Sequence, residues 1–84
     1  MLLDSVVLDE LTLAPAHGYA LRRSLARRGM DVAGGTVYSV LRRLERDGLL
    51  TAKWQNGRRR RVYRITRAGR EALHVRRLEL RMPA

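Results

Sequence analysis

Apolar residues return every three or four positions in four stretches of this chain, and every second position in a region between the third and the fourth. The clearest stretch is the third. Val37, Val40, Leu41 and Leu44 fall at i, i+3, i+4 and i+7, so they share one face of a helix. Ser39, Arg42, Arg43 and Arg46 take the opposite side, with Tyr38 and Glu45 on a flank. Gly34, Gly35 and Thr36 open this helix and leave its first backbone N–H groups available to an anion such as phosphate. Gly48 suits the left-handed position after a helix, so Asp47 closes it.

Beyond Gly48 the period changes to two. Leu50, Ala52 and Trp54 alternate with Thr51 and Lys53, and Asn56-Gly57 is the favoured dipeptide of a two-residue type I′ turn. A tight hairpin would pair Trp54 with Arg59, Lys53 with Arg60 and Leu50 with Tyr63. Leu50, Tyr63 and Ile65 then face the core, and the arginines gather at the tip and edges. Trp54 is expected to pack on this sheet with Arg59 over its ring.

The remaining stretches are helical. Leu2 to Leu13 is apolar over much of its circumference, which predicts a first helix buried on its own domain and against a second copy. Ala14, Pro15 and Ala16 break it. His17-Gly18-Tyr19 opens a second helix, with Leu21 and Leu25 inward and Gly29 as the stop. Thr66 is the expected N-cap of a final helix that runs to Pro83. That helix spreads apolar residues over more than one face, so one face covers the domain and another needs a second chain. Leu3, Val7, Leu73, Val75, Leu78 and Leu80 are the expected dimer residues. The predicted fold is mainly α with a small β-hairpin, a winged helix-turn-helix of order α-α-α-β-β-α in a single domain over residues 1–84, with 66–82 as the dimerisation helix.

Charge sharpens this picture. The chain has 84 residues, a net charge of +10 and no cysteine. From Lys53 to Arg70 there are eight basic residues and no acidic one. A pI near 11.6 argues for a polyanionic partner, because arginines that neutralise phosphates release condensed counterions. The absence of cysteine rules out a disulfide framework or thiolate metal site, and His17 lacks companions at ligand spacing, so no metal or cofactor is expected. No apolar run suits a membrane span and the first residues lack a basic leader region, which predicts a soluble, cytoplasmic chain. No catalytic constellation is present, and Gly34-Gly35 lacks the Lys-Ser/Thr of a P-loop, so an enzyme is not expected.

Several motifs in this order resemble the PadR family of bacterial transcriptional regulators. They are His17-Gly18-Tyr19, Gly35-Thr36-Val37-Tyr38, the run Leu41-Arg42-Arg43-Leu44-Glu45-Arg46-Asp47-Gly48-Leu49-Leu50, Trp54, the run Arg60-Arg61-Val62-Tyr63-Arg64-Ile65-Thr66, and Ala68-Gly69. The resemblance implies a dimeric repressor on a palindromic promoter element of double-stranded DNA. The third helix would lie in the major groove and the wing on the flanking backbone or minor groove. A phenolic or drug-like effector would release the DNA. Apart from the resemblance, a second reading of Trp54, beside its packing on the sheet, is that it helps line an aromatic effector pocket between protomers. By matching motif, Thr36, Tyr38 and Arg42 would meet DNA from the helix and Arg58, Arg59, Arg60 and Arg61 from the wing, while Tyr19 reaches a phosphate. Gly35 and Lys53 add backbone contacts, and Ser39, Arg42 and Arg43 are candidates for reading base edges.

The chain departs from the family pattern at Ala33-Gly34-Gly35-Thr36, where Ser-Pro-Gly-Thr is usual, and at Ser39, where proline is common. It shows one short final helix, so a large effector domain is not expected. A competing reading makes the same fold a protein-interaction module whose basic face binds an acidic partner. The polar outward face of the third helix favours DNA over that reading. Few exposed aromatics are expected, which disfavours an RNA-binding protein.

Overall fold

A computed structural model describes residues 2–81. The order is α1 (Leu2–Leu13), β1 (Ala16–His17), α2 (Gly18–Arg27), α3 (Gly34–Arg46), β2 (Leu50–Gln55), β3 (Arg60–Ile65) and α4 (Arg67–Arg81). All four expected helices and both hairpin strands are present. The stop expected at Pro83 lies outside the described residues.

One element is additional. Pro15 disfavours helix for the residue before it and pushes the chain toward extended backbone, and Ala16 and His17 then pair antiparallel with Tyr63 and Val62. The result is a three-stranded sheet of order β1-β3-β2. His17 also starts α2, its Nδ1 accepting from the Ala20 amide at 3.2 Å. A single residue thus ends the sheet's third strand and caps the next helix.

The core forms where the apolar faces converge. Val7, Leu8 and Leu11 of α1, Leu21 and Leu25 of α2, the four predicted residues of α3, Leu50, Tyr63 and Leu73 are all buried. This corrects two expected dimer residues, since Val7 and Leu73 are filled positions of the chain's own core, at 0% and 3% exposure. Leu3 is half-buried against the same core. By contrast Val75, Leu78 and Leu80 remain exposed, joined by Leu2.

The hairpin differs from the tight form. Strand partners are Leu50 with Ile65, Ala52 with Tyr63 and Trp54 with Arg61, leaving Asn56 to Arg59 as a four-residue loop. Asn56, Gly57 and Arg58 all have positive φ (53°, 61° and 70°). The Arg59 amide donates to the carbonyls of Gln55 and Asn56 at 3.2 Å each. Both central residues of the turn from Asn56 to Arg59 therefore lie left-handed, so the primed turn is centred one residue later than Asn56-Gly57 suggested. The slip is two residues, which preserves the side-chain period. Leu50 and Tyr63 accordingly face the core as expected, and Ile65 packs against it.

Candidate nucleic-acid interface

The local structure of α3 fixes which of its groups are free. No side chain caps its first turn; the Ala33 carbonyl accepts from the Thr36 and Val37 amides at 3.0 and 3.1 Å. The amides of Gly34 and Gly35 thus have no intrahelical acceptor, and Gly35 is open to solvent. At the other end Gly48 has φ +78° and the Leu49 amide returns to the Leu44 carbonyl at 2.9 Å. This is the left-handed termination that glycine makes cheap. Gly35, Thr36, Tyr38, Ser39, Arg42 and Arg46 are exposed along the helix.

Both flanks of that exposed face are held by ion pairs. On one flank Arg43 donates through Nη1 and Nη2 to the two carboxylate oxygens of Asp4, at 2.7 and 2.8 Å. Asp4 is 2% exposed on α1, and Arg76 of α4 approaches the same carboxylate at 3.9 Å. The Arg43 hydrogen bonds hold the Asp4 carboxyl below the ordinary carboxylate range, and the Asp4 contact raises Arg43. On the other flank Arg61 of β3 donates to Glu45 at 2.7 Å and lies 5.6 Å from the centre of the Trp54 ring.

Two of the arginines expected to contact DNA are engaged within the chain by these pairs. Arg43 is turned toward α1 instead of standing with Arg42, because the buried Asp4 carboxylate accepts from both of its terminal nitrogens, whereas Asp47, one turn on, is exposed and acts on it only at longer range. Arg61 is turned onto α3 and Trp54, and it takes the place over the indole that the tight register gave to Arg59. Arg42, Lys53, Arg58, Arg59 and Arg60 are all exposed and make no ion pair among the described residues.

Between α2, α3 and the wing runs an open groove of about 640 Å³, lined by His17, Tyr19, Tyr38, Trp54, Tyr63 and arginines that include Arg42, Arg59 and Arg60. Its aromatic wall is built from the backbone up. A Cβ at Gly18 would sit 2.4 Å from the Tyr38 ring, so glycine there lets α3 approach α2. Tyr19 stacks near His17, with ring centres 6.4 Å apart, and Arg23 covers its ring at 5.9 Å. Burial pushes the Tyr63 phenol up from its ordinary value, and that group belongs to the groove floor. Tyr19, Tyr38 and Trp54 are 61%, 44% and 54% exposed, so they offer faces to a partner.

Of the sequence-derived residues, the groove and the α3 face bring together Tyr19, Gly35, Thr36, Tyr38, Ser39, Arg42, Arg59 and Arg60; Lys53 and Arg58 are exposed on the wing outside the groove lining, and Arg43 is drawn toward α1. Asp4 and Glu45 were not singled out by sequence. Asp4 was legible in part, because Asp4, Leu8 and Leu11 fall at i, i+4 and i+7, which places a carboxylate on the buried stripe of α1. Among the described residues no group of three or more His, Cys, Asp or Glu side chains could hold a metal, and no helix is long and apolar enough to cross a membrane.

A short helix-turn-helix whose second helix is polar outward, followed by a basic hairpin, defines a winged-helix protein of the nucleic-acid-reading kind. Residues 7–75 match the model of the transcriptional regulator PadR-like family, and the chain belongs to that family of transcriptional regulators. Transcriptional regulator Rv3488 of Mycobacterium tuberculosis is 52% identical over 59 residues, which cover 68% of this chain and 55% of that protein. The match thus spans little more than half of that relative's length. A PadR family transcriptional regulator from Eggerthella lenta has a crystal structure that is similar with a TM-score of 0.87 and 40% identity, covering 93% of this chain and 70% of that one. A PadR family regulator from Clostridium difficile gives 0.86 and 27%, covering 93% and 85%. The relatives are regulators of transcription, which agrees with the absence of catalytic chemistry expected from sequence.

Proposed function

We propose that this protein binds double-stranded DNA with sequence preference, as a dimer, and represses a promoter that carries a palindromic element. The observation that carries this reading is the continuity of one surface. Arg42 of α3 and the wing cations Arg59 and Arg60 line a single groove, and the exposed Gly35, Thr36 and Ser39 of α3 and Lys53 and Arg58 of the wing extend the exposed faces of those two elements. Helix α3 has the polar face and the width for a major groove, and the wing lies where it meets the flanking backbone. Backbone contacts from the wing and the α3 amides supply position and much of the affinity, while Arg42 and Ser39 read base edges.

Dimerisation fits the exposed apolar residues of the terminal helices, Val75 and Leu78 on one face of α4 and Leu80 beside Leu2 of α1 on another. A two-fold pair would set its recognition helices roughly 34–36 Å apart to reach half-sites one helical turn apart. The half-exposed Trp54, with Tyr19 and Tyr38 beside it, also suits an aromatic effector. Such a ligand would sit in the groove within one chain and so compete with DNA for the same surface.

Fluorescence anisotropy on the DNA immediately upstream of the protein's own coding region, against a scrambled duplex of equal length, tests the reading. A preference of about 10³ or more at physiological salt is expected of a specific reader. Equal binding that vanishes at fourfold higher salt would leave only the electrostatic attraction of a basic protein. Arg42→Ala should cost about 1–3 kcal/mol on the preferred duplex if its guanidinium grips a guanine edge.

A further inference from the structure

The recognition helix carries two adjacent arginines, and the structure treats them oppositely. Arg42 faces the groove with no carboxylate near it. Arg43, four residues after Ser39 and so one turn farther along its side of the helix, has both terminal nitrogens engaged by Asp4. Its side chain is still 35% exposed, whereas the Asp4 side chain is 3% exposed. The guanidinium is therefore gripped from the interior side and stands at the rim of the exposed face. Arg76 reaches the same carboxylate and donates to Ser5 at 3.2 Å, so α1 and α4 both brace the acceptor.

We propose that Asp4 limits the sequence-independent affinity of the protein for DNA by withholding Arg43 from the phosphate backbone; this rests on the DNA-binding reading above. An arginine on a flank of a major-groove helix lies within a flexible side chain's reach of a strand, and a contact with phosphate strengthens binding to every sequence alike. On a chain of net charge +10, each such contact lengthens the time spent on DNA that carries no operator. A bidentate carboxylate partner removes that contact and keeps the arginine's stem packed.

The prediction is read on any duplex, so no operator is needed. Binding of a fixed arbitrary 30-bp duplex is followed by anisotropy from about 50 to 200 mM salt, where each additional phosphate contact steepens the logarithmic salt slope by about 0.9. Asp4→Asn releases Arg43, and its affinity should therefore fall about 3.5-fold more than wild type across that range. Glu79→Gln makes the same change in net charge on an exposed site of α4 and should leave the slope unaltered. In Asp4→Leu/Arg43→Met the pair is replaced by apolar side chains, an exchange that buried ion pairs tolerate, and the wild-type slope should persist.

A folded Asp4→Asn protein with the wild-type slope overturns the proposal. If Asp4→Asn does not fold by circular dichroism, the double variant decides alone: an unchanged slope supports the withholding of Arg43, and a slope shallower by about 0.9 shows that Arg43 already touches DNA and overturns it. Failure of wild type to bind any duplex would instead sink the DNA-binding reading, and the inference with it.

Discussion

Gly69 has no room for a side chain. A Cβ there would lie 2.2 Å from the Leu49 carbonyl oxygen and 2.7 Å from Ile65. The backbone neighbour cannot yield, because the Leu49 carbonyl accepts from the Thr66 amide at 3.1 Å while the Thr66 hydroxyl donates to the Gly48 carbonyl at 2.7 Å and accepts from the Gly69 amide at 3.0 Å. Gly69→Ala should thus destabilise the fold by about 1–3 kcal/mol through overpacking, despite the better helix propensity of alanine; a urea midpoint comparison measures it. Arg58 presents the opposite case. It is held at φ 70°, a region that is costly for a residue with a Cβ. Arg58→Gly should raise the unfolding free energy by up to about 1 kcal/mol while weakening DNA binding at low salt. If the same variant gained stability and kept full affinity, the wing tip would have no part in binding. The sequence marked both positions, one within a motif and one within a charge run. Their reasons depend on the meeting of distant backbones and on where the turn closes, which no local pattern records.

At the scale of elements, periodicity located α1, α2, α3, α4 and the hairpin because each must bury one face, and burial leaves its period in the residues. What it could not locate was the exact closure of the hairpin, since pairings that differ by two residues bury the same side chains. Asn56-Gly57 pointed to the two-residue loop, yet the observed loop keeps both residues left-handed and adds Arg58. The choice has a consequence for Trp54. With Trp54 opposite Arg61, replacing Arg61 by Met should shift the indole emission and cost about 1 kcal/mol or less, as expected for a partly exposed cation–π contact and ion pair. Arg59→Met should leave the spectrum unchanged; the reverse pattern would restore the tight register. β1 was not legible for a related reason, because two residues carry no period and their strand character comes from Pro15 and the free edge of β3. The candidate site was readable where it consists of exposed charge, while the ion pairs of Arg43 and Arg61 were not, because their partners lie 39 and 16 residues away.

For the whole molecule, α1 is an acidic spine between basic helices. Asp4 binds Arg43 of α3, and Asp9 binds Arg28, the C-cap of α2, and Arg77 of α4. The Arg28 hydrogen bond, like that of Arg43 on Asp4, holds the Asp9 carboxyl below its ordinary value. Carboxyls depressed in the folded state contribute stability that is complete above the unfolded pKa of about 3.9 and is lost as pH falls through the folded values. The melting temperature should therefore change little from these groups between pH 7 and 5 and decline below about pH 4. A decline already present near pH 6 would implicate other groups. The same packing separates folding from association. Leu73 is buried within one chain and Leu78 is 47% exposed, although they lie on the same helix and were expected to share a role. Leu73→Ala should cost about 2–5 kcal/mol of stability by opening a cavity. Leu78→Glu should leave the chain's own core intact and shift sedimentation from twice the 9.7 kDa chain mass toward the single chain. DNA affinity would then depend on protein concentration, because two half-sites would no longer be gripped by a preassembled pair. If wild type already sediments as a single chain at micromolar concentration, the exposed apolar residues of α1 and α4 serve another contact and the palindrome loses its structural basis.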